Sequence, residues 1–122
     1  MFVVEFYAYF IAKKLFDLTG KIAIVTGGKG LYGASISLGL CEAGATVVIA
    51  SRNGEKCEEY AKELRTQGYD AIGLSLDLSS DSSIENLVND VIKKYGKIDI
   101  LVNNAVDRSN MTPLSTATRE KL

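Results

Sequence analysis

The chain has 122 residues, 47 % apolar and 24 % charged, the proportions of one ordinary globular domain, which exclude a disordered or collagen-like polymer. Its 14 basic and 15 acidic residues leave a net charge of −1, with no Lys/Arg block of the kind a nucleic-acid partner requires. It has no histidine, so His-based triads and His-ligated metals are excluded; two cysteines, Cys41 and Cys57, are too few for a disulfide framework or a four-cysteine zinc site. A reducing, cytoplasmic setting is the simplest reading of that cysteine usage.

Met1 to Ala12 (MFVVEFYAYFIA) is apolar except for Glu5. As a helix it reaches about 18 Å, short of the roughly 30 Å needed to span a bilayer, and it lacks the basic start and small-residue cleavage site of a secretory signal. Three readings stay open: an upstream extension of little consequence, a helix from Phe2 to Phe16 that covers apolar surface elsewhere, or a surface membrane anchor. Lys13 and Lys14 add little to the last, and no membrane partner is expected.

Lys21 to Thr26 (KIAIVT) is a short apolar run ending at glycines, which suits a strand buried on both faces. Ala34 to Ala43 has Ile36 and Leu40 at helical spacing and a stop at Gly44. Thr46 to Ala50 (TVVIA) predicts a second strand. Glu55 to Gln67 places Cys57, Tyr60, Ala61 and Leu64 on one helical face and ends at Gly68. Ala71 to Leu76 predicts a third strand, ending at Asp77. Ser82 and Glu85 have the spacing of a capping box, and behind them Ile84, Leu87, Val88, Val91, Ile92 and Tyr95 repeat at three and four, as far as Gly96. Ile98 to Val102 predicts a fourth strand, leading into Asn103 and Asn104. Strict strand–helix alternation with apolar strands predicts an α/β fold: a doubly wound parallel sheet with right-handed crossovers, in the order 3-2-1-4.

Thr26, Gly27, Gly28, Lys29, Gly30, Leu31, Tyr32 and Gly33 lie between the first strand and the first helix that follows it. A dinucleotide needs glycines there. Its diphosphate must approach the free N–H groups and the positive dipole end of the helix, and a Cβ would block that approach. Gly33 lets the helix pack close to the strand or cofactor. A magnesium-binding phosphate loop is disfavoured, because Gly30 rather than Ser or Thr follows Lys29. An acidic residue after the second strand would hold a ribose 2′-hydroxyl and repel a 2′-phosphate. The chain instead has Ser51, Arg52 and Asn53. Arg52 can pair with a 2′-phosphate, so NADP(H) is favoured, with NAD(H) possible. Asp77 is placed either to accept from an adenine amino group or to cap a helix.

These residues, together with Leu15 to Lys21 (LFDLTGK), Asp77-Leu78 and Gly96 to Ala105 (GKIDILVNNA), resemble the N-terminal half of a short-chain dehydrogenase/reductase over residues 15–122. The opening and the Ser-Arg-Asn segment are similar to gluconate 5-dehydrogenase-like members. The resemblance implies a Rossmann-type fold of which four strands are present. It implies an NAD(P) cofactor, an alcohol/carbonyl substrate pair and a homo-oligomeric full-length enzyme. It also implies an adenine contact at Asp77, and a segment Asn103, Asn104 and Ala105 that supports the sheet and touches the adenosine ribose. At least one of the two asparagines is expected to be a buried amide that satisfies loop backbone groups. Two departures stand out. Leu31 occupies the middle glycine position of the family's loop, giving the spacing TGxxGxxG of extended, epimerase-like relatives, and Val106 follows Asn-Asn-Ala where the family has glycine.

The chemistry of that family uses a Tyr with a Lys four residues later, a Ser and an Asn. Only Tyr9 and Lys13 have the Tyr–Lys spacing, and they precede the first strand. The family's Asn lies on a helix expected to begin near Thr118; Ser109 and Asn110 fall in the loop before it. No catalytic residue is assigned. The expected organisation is an apolar extension over 1–14 and a partial NAD(P)-binding domain over 15–122, inactive alone. The alternatives are a non-catalytic nucleotide-binding or interaction module, and an epimerase-like extended relative.

Overall fold

A computed structural model describes residues 2–28 and 31–105. The elements in chain order are α1 (Phe2–Leu15), β1 (Ile22–Thr26), α2 (Leu31–Glu42), β2 (Thr46–Ser51), α3 (Gly54–Thr66), β3 (Ala71–Ser75), α4 (Asp81–Tyr95) and β4 (Ile100–Asn103). The four strands form one parallel sheet in the order β3-β2-β1-β4, as expected. Ile22 pairs with Thr46 on one side of β1, and Ala23 with Ile100 on the other.

The apolar strands are buried because the sheet has helices on both faces. Ala23, Val25, Val47 and Ile49 point to the face covered by α2 and α3, where Cys41, Cys57, Ala61 and Leu64 meet them. Ile22, Ile24, Val48 and Ala50 point to the opposite face, against Leu87 and Val91 of α4. Alternate residues of β1 and β2 therefore serve separate cores, which is why their sequences read as unbroken apolar runs. Each Val, Ile or Leu among them contributes about 1.5–3 kcal/mol on burial. Burial, with Asp70 and Glu42 adding to it, pushes the Cys41 thiol up to about 11, so it is an inert packing group at neutral pH.

The helix ends differ from the sequence expectation in instructive ways. α2 begins at Leu31, three residues early, so Gly33 lies inside its first turn rather than in a loop. The cap of α4 is Ser80, whose side chain accepts from the Ser83 amide; Ser82 is already helical, and the expected Ser82–Glu85 capping box does not form. Serines crowd this segment, and spacing alone does not choose among them. β4 begins at Ile100 instead of Ile98. Its approach is fixed by Asp99, whose amide donates to Ile22 O (2.9 Å) and whose Oδ2 accepts from Ile22 N (2.8 Å). That amide bond, against some desolvation and with help from Lys97, holds the Asp99 carboxyl below its ordinary value. α1 stops at Leu15 rather than Phe16. Leu15 and Phe16 are each 74 % exposed, and Phe10 and Ile11 are exposed to a lesser degree; the side chains of residues 2–7 and 9, on which the covering role would rest, lie outside the described residues.

The two flanks of the sheet are treated unequally. β3 is an edge strand, and its outward groups are met by side chains of α3. Arg65 Nη1 donates to Ala71 O (2.8 Å), Glu58 Oε2 accepts from Gly73 N (2.8 Å), and Arg65 and Glu58 pair with each other. Desolvation works against the Glu58 charge, but Arg65 and the Gly73 amide outweigh it and hold the carboxyl below its ordinary value. This pair blunts the edge against foreign strands. α3 can come so close because residue 73 is glycine: a Cβ there would lie 2.2 Å from the Cys57 carbonyl carbon. Glu58→Leu is expected to lower stability by about 1 kcal/mol and to raise light scattering at high protein concentration; an unchanged urea midpoint with no added scattering overturns the edge role. On the other flank, β4 has no strand beside it among the described residues, and Leu101 is 65 % exposed.

Candidate functional site

All four strands run in one direction, so their C-terminal ends converge at one end of the sheet, where open α/β sheets bind ligands. A cleft of about 650 Å³ lies there, lined by Thr26, Gly27, Ala50, Ser51, Arg52, Leu76, Leu78, Ser79 and Ala105. Its volume falls in the range of small-molecule sites. The ends of β1 and β4 are neighbours in it despite their distance along the chain, because β1 sits between β2 and β4.

The glycine turn is built on close backbone approach. Gly27 has φ +66°, a left-handed conformation that favours glycine, and a Cβ on it would press against Ala105. A Cβ on Gly28 would lie 2.9 Å from Ile49 Cγ2 and 3.0 Å from Ser37 Oγ. Ser37, fully buried in α2, donates to Gly28 O (3.3 Å) and so ties the helix to the turn. At Gly33 the space is absent altogether: a Cβ would sit 1.9 Å from Gly27 O. The first turn of α2 thus rests directly on the backbone leaving β1. Tyr32, expected among the cofactor contacts, is 67 % exposed on that turn. Lys29 and Gly30 lie outside the described residues, as does the Leu31 side chain.

Thr26 closes the other wall. Its hydroxyl accepts from Asn104 N (3.0 Å) and Ala105 N (3.1 Å), and it donates its single proton toward Val102 O (3.4 Å) or Asn103 Oδ1 (3.3 Å). Asn104 Nδ2 donates to Gly27 O (3.3 Å). The Asn-Asn-Ala segment is therefore latched onto the end of β1. Asn104 satisfies the loop backbone as expected, but it is half-buried and Asn103 is exposed, so neither is a fully buried amide. Both lie on or beyond β4, which has no strand on its far side among the described residues. Thr26 is expected among the cofactor-loop residues; its hydroxyl organises the chain's own Asn-Asn-Ala segment.

At the end of β2, Ser51 Oγ lies 2.9 Å from Cys57 Sγ and 3.5 Å from Asn53 O. Arg52 is exposed at the cleft, and its carbonyl accepts from Ser75 Oγ (3.3 Å). The side-chain oxygen of Asn53, a residue expected with the cofactor contacts, is engaged in the fold. Its Oδ1 accepts from Lys56 N (3.1 Å) and caps α3. Beyond β3, Asp77 does not cap α4. Its Oδ1 accepts from Ser79 N (3.0 Å) and Ser79 Oγ (2.7 Å), while its own amide donates to Ser83 Oγ (2.9 Å). The Ser79 hydroxyl and amide lower the Asp77 carboxyl against slight desolvation, and nearby Arg52 adds to the lowering. Asp77 is consequently an anion at neutral pH; it does not itself line the cleft but stands in the chain between Leu76 and Leu78, which do. Ser109, Asn110 and the expected helix at Thr118 lie outside the described residues, and among the described residues no group of metal-ligating side chains gathers.

The short chain dehydrogenase family model matches residues 21–121. This chain belongs to the short-chain dehydrogenase/reductase family. The 3-oxoacyl-[acyl-carrier-protein] reductase of rhamnolipid biosynthesis from Pseudomonas aeruginosa is 42 % identical over 90 residues, covering 74 % of the chain and 35 % of that protein. A metagenomic short-chain oxidoreductase solved in complex with NADP superposes with a TM-score of 0.72 at 34 % identity, over 85 % of this chain and 47 % of that one. The RhlG protein of P. aeruginosa in an active-site complex with NADP gives 0.70 at 40 % identity, over 75 % and 37 %. The chain thus spans well under half the length of the curated relatives it matches. The match begins at residue 21, which leaves α1 outside the short-chain dehydrogenase model. Two features of this family member were not legible beforehand: Asp99 as the clasp between β1 and β4, and Tyr60, whose hydroxyl donates to Ala34 O (2.9 Å) and links α3 to α2. Tyr60 has a helical-face signal, but nothing in sequence points a phenol at a backbone carbonyl.

Proposed function

We propose that the chain is the coenzyme-binding half of an NADP(H)-preferring short-chain oxidoreductase acting on a small alcohol/carbonyl pair. One observation carries this reading: Gly27, Arg52 and Ala105 surround a single cleft at the C-terminal end of the sheet, beside a helix that a Cβ at residue 33 would push away. The coenzyme fits such a cradle. The backbone of Gly27 and Gly28 at the start of α2 suits a diphosphate. Arg52 and Ser51 suit a 2′-phosphate, Asp77 offers an acceptor to an adenine amino group, and Leu78 gives the adenine an apolar neighbour. When bound, the nicotinamide would supply or accept hydride. The two relatives solved with NADP support the same choice.

The 122 residues alone are proposed to bind coenzyme without turnover, because the Tyr–Lys pair of the family has no counterpart among them after β4. The complete enzyme is proposed to be a cytoplasmic homo-oligomer. The test is a fluorescence titration with NADPH and NADH, repeated on Arg52→Ala. That substitution is expected to weaken NADPH about tenfold or more, in line with a charge-assisted contact, and to leave NADH unchanged. Equal affinity for both coenzymes, untouched by the substitution, overturns the phosphate role. Steady NADPH oxidation by the purified chain with a carbonyl substrate overturns the claim of incompleteness.

A further inference from the structure

Cys57 is fully buried on the fourth residue of α3, and neither the core chemistry of the cleft nor the proposed coenzyme contacts use its thiol. Its sulfur lies 2.9 Å from Ser51 Oγ, and Ser51 lines the cleft beside Arg52. The only other partner of that hydroxyl among the described residues is Asn53 O, at 3.5 Å. We propose that Cys57 is a positioning residue for coenzyme discrimination: its thiol donates to Ser51 Oγ and leaves the Ser51 proton free to point at a 2′-phosphate. The inference rests on the reading that the cleft takes a dinucleotide with that phosphate near Ser51 and Arg52.

Between Ser51 Oγ and Cys57 Sγ either atom can donate; with a phosphate bound, counting protons assigns the direction. A serine hydroxyl has one proton and two lone pairs. A phosphate oxygen only accepts, so Ser51 must donate to it. Its oxygen then needs a donor from the protein side. Asn53 O accepts only; Cys57 S–H can donate. The sulfur is also held in place. The Cys57 amide donates to Asn53 O (3.1 Å), and Gly73 of β3 packs directly on the Cys57 backbone. With no ligand bound, the Ser51 hydroxyl already donates weakly toward Asn53 O (3.5 Å); without the thiol that carbonyl is its only protein partner, and the proton is held away from the cleft. A ribose 2′-hydroxyl can both donate and accept. It accommodates either orientation of Ser51, so NADH is indifferent to the relay.

The test measures dissociation constants of NADPH and NADH for the chain and for Cys57→Ala, Cys57→Ser, Ser51→Ala and the double variant Ser51→Ala/Cys57→Ala. Cys57→Ala is expected to weaken NADPH about fivefold, the size of one neutral hydrogen bond, with NADH unchanged. Cys57→Ser, which keeps a donor, restores NADPH binding. The double variant loses no more than Ser51→Ala alone, because both act on one bond. Unchanged NADH affinity reports that the fold and cleft persist. If Ser51→Ala weakens NADPH selectively but Cys57→Ala does not, the relay is wrong and the phosphate reading stands. If Cys57→Ala weakens both coenzymes equally, its role is packing and the relay is overturned. If neither Ser51→Ala nor Arg52→Ala changes the NADPH-to-NADH ratio, or the chain binds neither coenzyme, the phosphate reading fails and the relay with it.

Discussion

Gly33→Ala is expected to lower the unfolding free energy by about 3 kcal/mol, at the upper end of ordinary overpacking costs, and to weaken NADPH binding more than tenfold. The added methyl meets backbone and not a side chain: Gly27 O at 1.9 Å, Gly28 Cα at 2.6 Å and Gly27 C at 2.7 Å. No rotamer change relieves that contact. Either α2 retreats from β1 or the glycine turn opens, and each outcome moves the amides that face the cleft. Gly39, on the same helix, is the control. Nothing lies within 4 Å of a Cβ there, so Gly39→Ala is expected to stabilise the chain by about 0.5–1 kcal/mol through helix propensity alone and to leave coenzyme binding intact. Urea unfolding and NADPH titration of both variants check the pair. Equal behaviour of the two alanines contradicts the close-approach account.

Thr26→Val is expected to cost about 2 kcal/mol and roughly tenfold in NADPH affinity. Valine keeps the shape and strand preference of threonine, so the change isolates the hydroxyl. Two amides, Asn104 N and Ala105 N, lose their acceptor at once. An unmet polar group costs about 1–3 kcal/mol when buried, and partial access of water keeps the sum near the lower end. The consequence for binding is indirect: Ala105 lines the cleft across from Gly27, and the latch holds it there. Thr26→Ser retains the oxygen and is expected to restore both stability and affinity. Denaturation midpoints and coenzyme titration measure the outcome; a serine variant as weak as valine shows that the methyl, not the hydroxyl, carries the effect.

The sheet order was legible because β1 and β2 are buried on both faces, and such strands leave an uninterrupted apolar signature between helical periods. The clustering of Thr26, Gly27, Ser51, Arg52 and Ala105 followed from strand direction, since every parallel strand delivers its last residue to the same end. Two kinds of information did not follow. Helix caps were misplaced where several residues of similar chemistry adjoin, as at Ser80 and Ser82, since choosing among them depends on where β3 releases the chain. Side-chain partners across long separations were also out of reach. Asp99 with Ile22, Cys57 with Ser51 and the Glu58–Arg65 guard depend on three-dimensional register, and each residue alone reads as a surface charge or a core thiol. Asn53 shows the converse: its neighbours Ser51 and Arg52 suggest a ligand role, and its position gives no sign that its Oδ1 accepts from the amide of Lys56.

The unequal flanks of the sheet make the domain a vectorial scaffold. On the β3 side, a guanidinium and a carboxylate already answer the outward amide of Gly73 and the carbonyl of Ala71, so an arriving polypeptide finds no template there. Among the described residues the β4 side offers one, with the exposed Leu101 side chain on it. Any strand that joins the described sheet therefore adds at β4, away from the end of β2 where Ser51 and Arg52 line the cleft, and the β2–β3 half stays out of the traffic of mispairing.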